Sequence, residues 1–229
     1  PVKFAVSTHS ASSTPYDPAR AWASFDFVLN DPTDSAAAAT ALATGTKTND
    51  GVVGMGPDLI RLKSIVEWAE EVGKSTGSVT SVTFCHATPA SFLAHASKRR
   101  PYEPIASQII RESAVDVVMG CGHPDYDLYG DPAGEPNYRY VGDAETWKDL
   151  LEGRAGADAD GDGQNDPWTV IQTREEFQAY MEGPTPKRVF GIPRIRQTLQ
   201  QDRQKDRQAT AFVSPLIFAL PTLSSMSLA

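Results

Sequence analysis

Apolar and polar residues alternate at Val2, Phe4 and Val6, and again at Phe25, Phe27 and Leu29 ahead of a turn at Asn30-Asp31-Pro32. Period two predicts short strands. The alanine-rich run from Ser35 to Thr44 predicts a helix, with Gly45 in the usual C-terminal glycine position. Leu59, Leu62, Val66, Ala69 and Val72 recur at helical spacing as far as Gly73. Val79 to Phe84 reads as a buried strand, followed by a helix opened by Thr88-Pro89. A further helix around Ile105, Ile109 and Ile110 feeds a strand from Val115 to Met119, which runs into Gly120-Cys121-Gly122. Strand, helices, strand with glycine punctuation is a βαβ unit, so the class is α/β with a parallel sheet.

Beyond this the pattern is less regular. Asp143 to Glu152 predicts a helix, Thr173-x-x-Glu176 is a capping box for another, and Val189 to Ile192 suits a strand. Residues 194–208 are dense in Arg, Gln, Asp and Lys, which predicts a solvated loop or exposed helix. No internal repeat is visible.

Composition adds limits rather than detail. The 229 residues are 40% hydrophobic and 22% charged, ordinary values for a globular protein. A formal net charge of −8 repels nucleic-acid phosphates, so no nucleic-acid partner is expected. A phosphate ligand would need local positive charge from arginine or a metal. Cys85 and Cys121 leave a disulfide, buried thiols and a reactive thiol all open. Residues 209–229 carry no charge, but Pro215, Pro221 and scattered Ser and Thr argue against a membrane span, and none is expected. The sequence starts at Pro1 without a leader, and Thr222 to Ala229 reads as a helix cut off in its first turns. Both ends are therefore expected to be boundaries within a longer chain.

The strongest chemical signal is Asp34-Ser35-Ala36-Ala37-Ala38-Ala39-Thr40-Ala41, continuing to Thr44-Gly45-Thr46-Lys47-Thr48. Ser35 falls at the mouth of a helix, where free backbone N–H groups and the helix dipole favour an anion. Thr33, Asp34 or Ser35 could equally be a plain helix cap. None of His9, His86, His95 and His123 stands in a recognisable general-base spacing to Ser35, which leans towards a metal as its activator. A second segment, Cys85-His86-Ala87-Thr88-Pro89-Ala90-Ser91-Phe92 running on to His95-Ala96-Ser97-Lys98-Arg99, follows a predicted strand, where open α/β sheets place their ligand crevices. Taken singly, Thr88 could be a cap, His86 a half-buried histidine and Arg99 a solvated helix-end residue.

These two segments, in this order, resemble the alkaline phosphatases. The likeness runs from about Val2 to about Leu199, is strongest at 34–56 and 79–99, and is weaker through Asp116 to Pro124 and Pro186 to Val189. The uncharged tail fits the family less well. The resemblance implies a three-layer α/β sandwich with a mostly parallel central sheet, incomplete at both ends. Residues 1–229 would form part of a single domain, with core segments in about 1–125 and a more irregular region in about 126–229. It implies hydrolysis of phosphate monoesters through a phosphoserine at Ser35, with Asp34 steadying the phosphate-binding Arg99. Arg99 would grip two phosphate oxygens, a task suited to a planar five-donor fork. Thr88 would be a magnesium ligand. His86, at a position that is aspartate in some members and histidine in others, would bond a metal-bound water. Ser35 would contact zinc.

The family holds two zinc ions and one magnesium mainly through residues that this sequence lacks. No histidine follows His123, so the isolated chain is expected to be inactive. The central sheet is expected to lack strands on both sides, which leaves exposed edges. A non-catalytic phosphate- or calcium-binding module on a degenerate phosphatase scaffold is the alternative. Periplasmic or secreted location follows from the same resemblance, and a homodimer stays open. Substrate preference is not readable.

Asp158-Ala159-Asp160-Gly161-Asp162-Gly163-Gln164-Asn165-Asp166 is a separate signal. Alternate acidic residues ahead of a glycine resemble calcium loops, with Asp158, Asp160, Asp162 and Asp166 as candidate ligands. The twelfth position is Thr169 in place of a bidentate glutamate, so a solvated acidic turn is the other reading.

Overall fold

The computed structural model describes residues 9–180 and 183–199. The strand expected at Val2 to Val6, the uncharged stretch 209–229 and residues 200–208 lie outside them. In chain order the elements are α1 (Pro18–Ala23), α2 (Phe25–Leu29), α3 (Ser35–Thr44), α4 (Ile65–Glu71), β1 (Gly77–Thr83), α5 (Ala87–Leu93), α6 (Glu103–Glu112) and β2 (Val117–Cys121). A 3-10 turn at Tyr138–Tyr140 then leads to α7 (Ala144–Leu151), β3 (Gly156–Ala157), β4 (Asp166–Pro167), β5 (Thr169–Ile171), α8 (Arg174–Ala179) and β6 (Val189–Gly191). The central sheet has the order β1-β2-β6-β5 and every neighbouring pair is parallel, with Gly77 opposite Val117, and Met119 opposite Gly191. Strands β3 and β4 form a separate antiparallel pair.

The sheet is buried on both faces. Val118 and Phe190 point to a core shared with Phe84, Ile105, Ile109, Ile110 and Trp168. Met119 and Val189 point the other way, against Ile171, Phe177, Ile195 and Leu199. This is why the strand sequences are near-continuous apolar runs rather than alternations. The second half of the chain supplies half of the sheet, through β5 and β6.

Local signals account for the helix ends. The Asp34 carboxylate accepts from the Ala37 N–H at 2.9 Å to cap α3, and Gly45 closes it at φ 73°. Asp143 caps α7 by accepting from the Thr146 N–H at 2.7 Å. Thr173 and Glu176 form the expected capping box on α8. On α6, Ile105, Ala106, Ile109 and Ile110 are buried, the one-sided face that their spacing predicts.

Four expectations are corrected. Phe25, Phe27 and Leu29 lie in a short helix, stacked after α1 with no buried residues, so the alternation was incidental over so short a run. The helix expected from Leu59 starts only at Ile65, because Ser64 and Glu67 make a capping box there. Leu59 takes φ 61°, and Met55 bridges Arg61, so 55–62 is a tight loop. Strand β2 starts at Val117, with Val115 instead buried in the approach to it. In residues 194–199, Ile195, Thr198 and Leu199 are buried, and Leu199 N–H donates to Ser81 C=O at 2.9 Å. Thr198 bridges Val82, so β1 is covered along part of the edge that was expected to be open.

Two features pin the layers together. A Cβ on Gly120 would stand 2.9 Å from Phe84 N, so glycine there permits the close approach of β2 to the chain leaving β1. Arg188 is 1% exposed, stacks 3.7 Å over the Trp168 ring and donates to the carbonyls of Val115, Asp166 and Ser113. Burial pushes its pKa down to about 10. The guanidinium thus joins the end of α6, β4 and β6 by satisfying carbonyls that would otherwise be orphaned.

Candidate active site

Asp34, His86 and Arg99 of the predicted residues meet at the mouths of two helices. Helix α3 begins with Ser35 directly after its cap Asp34, and α5 begins directly after His86. Both follow extended residues, Asp34 at ψ 163° and His86 at ψ 153°, so each helix opens abruptly.

The segment after α5 then returns Arg99 to the mouth of α3. Its Nη1 donates to Asp34 Oδ2 at 2.9 Å, and its Nη2 stands 3.4 Å from His86 Nε2. One Asp34 oxygen therefore caps the helix and the other orients the guanidinium. The ion pair is about three-quarters buried on each side, at 25% and 23% exposure. Burial raises the Asp34 pKa, but the amides of Ala37, Gly51 and Ala36 together with Arg99 outweigh it and hold the carboxyl below its ordinary value. His86 is held below the ordinary histidine value by burial first, then by the positive charges of Arg99 and Arg100. It is accordingly a neutral ring whose Nε2 lone pair can accept from Arg99. Thr88 is exposed at the second position of α5, two residues beyond His86.

A buried hydroxyl pair holds the two helices in register. Thr40 Oγ1 accepts from the Gly54 N–H at 2.9 Å and faces Ser91 Oγ at 3.3 Å and Val52 C=O at 3.2 Å. Ser91 Oγ in turn faces Ala36 C=O at 3.3 Å and Ala87 C=O at 2.8 Å. Sequence reading missed this pair, although both residues stand inside the quoted segments. The available signal was two isolated hydroxyls on the apolar faces of alanine-rich helices.

Cys85 and Cys121 form no disulfide with each other, and each is 0% exposed. Burial pushes the Cys85 pKa up to about 12, which removes it as a nucleophile near neutral pH.

At the acidic hairpin, Asp158, Asp160 and Asp166 can bring one carboxylate oxygen each within 4.8 Å of one another. Asp162 is turned away, accepting from the Gln164 N–H at 2.8 Å. The Lys187 ammonium sits between Asp160 and Asp166, 2.5 Å from each, so a cation already holds the position between those two carboxylates. Among the described residues this is the only group of three metal-ligating side chains within such reach, and it does not include the residues around Ser35. No helix of the described residues is long and apolar enough to cross a membrane.

A family model described as Alkaline phosphatase matches residues 23–228, including the uncharged tail. Alkaline phosphatase 4 of Bacillus subtilis is 41% identical over 95 residues, which is 39% of this chain and 21% of that protein. The human tissue-nonspecific alkaline phosphatase isozyme is 31% identical over 145 residues, 52% of this chain and 27% of that protein. A variant of the alkaline phosphatase from the Antarctic bacterium TAB5, solved with magnesium bound, superposes with a TM-score of 0.57 at 24% identity, covering 97% of this chain and 51% of that one. The chain thus spans about half the length of its structural neighbour, and the matched stretch about a fifth to a quarter of the curated relatives.

Proposed function

Since the chain belongs to the alkaline phosphatase family, we propose that it carries the nucleophile and the phosphate clamp of an enzyme that hydrolyses phosphate monoesters. The observation that carries this reading is the Arg99–Asp34 pair at 2.9 Å, which joins residues 65 positions apart and sets a guanidinium beside the first turn that presents Ser35. Two of the five guanidinium N–H groups are engaged, by Asp34 and His86, which leaves donors for two phosphate oxygens.

In the proposed reaction Ser35 Oγ attacks phosphorus, the ester P–O bond breaks, and the leaving alcohol departs with its oxygen. The Ser35 proton is lost to solvent as the phosphoserine forms. Water then attacks phosphorus, the P–Oγ bond breaks, and orthophosphate is released. Asp34 holds Arg99 in place across both steps, and Arg99 supplies the donors that face the developing charge.

Two zinc ions and one magnesium are part of the proposal, but the described residues do not form a site for them. A catalytic zinc typically takes three protein ligands, and among the described residues no group of three ligating side chains lies at Ser35. His86 Nε2 is besides directed at Arg99. Any metal must draw its ligands mainly from elsewhere in the polypeptide, so residues 1–229 expressed alone should be inactive. Small phosphate monoesters and orthophosphate are the proposed ligands, and export from the cytoplasm the proposed location.

The test is p-nitrophenyl phosphate turnover by the full gene product, wild type and Ser35→Ala, with and without chelator. Turnover that requires Ser35 and is lost to chelator supports the reading. A well-folded product that takes up phosphate but never turns over substrate would support the non-catalytic alternative.

A further inference from the structure

His95 lies four residues before Arg99, in the segment that returns the chain from α5 to the mouth of α3, and the proposed reaction does not use it. Its side chain is 9% exposed, and Nε2 stands 2.9 Å from the Leu62 carbonyl oxygen. A carbonyl can only accept, so Nε2 carries the proton and donates. The Glu67 carboxylate, which accepts from the Ser64 N–H at 2.7 Å to complete the cap of α4, stands 3.6 Å from the same nitrogen. The His95 backbone N–H donates to the side-chain oxygen of Gln108, on α6, at 2.5 Å. One residue thus ties the returning segment to the start of α4 and to α6.

The chain on either side of His95 is tied as closely to the loop after α3. Ala96 exchanges both backbone hydrogen bonds with Val53, each at 2.9 Å. Gly54 follows at φ 60°, and a Cβ there would stand 2.3 Å from the Ala94 carbonyl oxygen and 3.1 Å from His95 Cδ2. The imidazole therefore lies against bare backbone, an approach that glycine permits. The Gly54 carbonyl accepts from the Leu62 N–H at 3.0 Å, and the Gly54 N–H donates to Thr40 Oγ1 on α3. Leu62 is held by its amide to Gly54 and by its carbonyl to His95. That closes a cycle of contacts through residues 53–54, 62 and 95–96, and hangs it on the helix that presents Ser35. Beyond Ala96, residues 97–99 form neither helix nor strand, so the cycle is the last regular anchor before the Arg99 backbone. Asp34 and His86 hold the tip of the guanidinium, but a bidentate grip on phosphate also needs its remaining donors aimed, and that depends on where the side chain is rooted.

We propose that His95 is a positioning residue for Arg99: its hydrogen bond to the Leu62 carbonyl closes the cycle that fixes the returning segment, and so aims the guanidinium that grips phosphate. The proposal rests on the phosphatase reading for the task of Arg99. His95 itself touches neither Ser35 nor the phosphate in this scheme, and its effect reaches the reaction only through Arg99.

The test uses the full gene product with His95→Leu, which keeps apolar bulk without a donor, and His95→Gln, whose side-chain amide places an N–H near the position of Nε2. Each is made in the wild type and in Arg99→Ala, and folding is checked by circular dichroism and urea unfolding. The readouts are kcat and KM for p-nitrophenyl phosphate and the inhibition constant of orthophosphate. His95→Leu should raise that inhibition constant roughly fivefold or more and lower kcat/KM with it, since misplacement of a binding group is costly. His95→Gln should stay within about twofold of the wild type, and His95→Leu should add no further loss in the Arg99→Ala background. Should His95→Leu fail to fold, His95→Asn, whose shorter amide falls short of Leu62, is read against the same outcomes. Equal losses in both backgrounds, a glutamine variant as poor as the leucine one, or unchanged orthophosphate inhibition in His95→Leu would overturn the proposal and leave His95 a residue of the core alone. Turnover that needs Ser35 and Arg99 but not His95 would defeat the positioning role and keep the phosphatase reading. A wild type with neither orthophosphate inhibition nor Ser35-dependent turnover would defeat that reading, and the task given to His95 with it.

Discussion

Removing the hydroxyl of Thr40 should harm the protein more than removing that of Ser91, although the two face each other. Thr40 is 0% exposed, and its Oγ1 is the acceptor for the buried Gly54 N–H at 2.9 Å. Thr40→Val keeps the shape but strands that N–H beside a methyl group, and an unsatisfied buried donor costs about 1–3 kcal/mol. Ser91, 1% exposed, has one proton to donate, to the Ala87 carbonyl at 2.8 Å or the Ala36 carbonyl at 3.3 Å, and both carbonyls lie within helices and keep other bonding capacity. Ser91→Ala therefore loses only the net value of one hydrogen bond, about 0.5–1.5 kcal/mol. Alanine's better helix propensity returns up to roughly 0.5 kcal/mol of that. Urea unfolding of the full gene product, with matched m-values, measures both. A Ser91→Ala loss equal to or above that of Thr40→Val, or no loss in Thr40→Val, would refute the assignment of Thr40 as the hub joining α3, α5 and the Val52–Gly54 loop.

Two further predictions follow from the site and the hairpin. Charge-assisted contact of Arg99 with phosphate should be worth on the order of 1.5–3 kcal/mol, so Arg99→Ala should raise the inhibition constant for orthophosphate roughly 10- to 150-fold along with loss of turnover; unchanged phosphate inhibition would remove Arg99 from the site. The Asp158–Asp166 hairpin should bind calcium no better than millimolar, because Lys187 holds the position between Asp160 and Asp166, and Lys187→Met should tighten binding several-fold; calorimetry giving the same heat for wild type, Lys187→Met and Asp160→Ala would show that the loop is no calcium site.

The sequence made the helix termini legible because those depend on local chemistry, whereas β5 at Thr169–Ile171 and its place at the edge of the sheet went unread. Asp34 with Gly45, Asp143, and Thr173 with Glu176 each act within one turn of the backbone they cap. Leu59 to Leu62 and the run from Phe25 to Leu29 misled for the opposite reason. Periodicity over a few residues does not outweigh a capping box at Ser64 or the packing of a short helical pair. The non-local contacts were out of reach. Nothing in the spacing of Arg188 announces a guanidinium serving carbonyls more than seventy residues away at Ser113 and Val115. The same holds for Ile195 and Leu199, whose charged neighbours hide the fact that they cover one sheet face. At the site, the residue types of Asp34, Ser35, His86 and Arg99 were readable through family resemblance, whereas their meeting depends on the return of the chain after α5. The contact of His95 with the Leu62 carbonyl carried no motif at all.

The central claim is that Ser35 becomes covalently phosphorylated during turnover. It is tested most directly by mixing the full gene product with a phosphate monoester or orthophosphate at acidic pH, quenching with acid, and mapping tryptic peptides by mass spectrometry. The account predicts a single phosphoryl adduct on the peptide that contains Ser35, absent from Ser35→Ala and reduced in Arg99→Ala. Turnover that persists in Ser35→Ala, or an adduct found only at another residue, would contradict it.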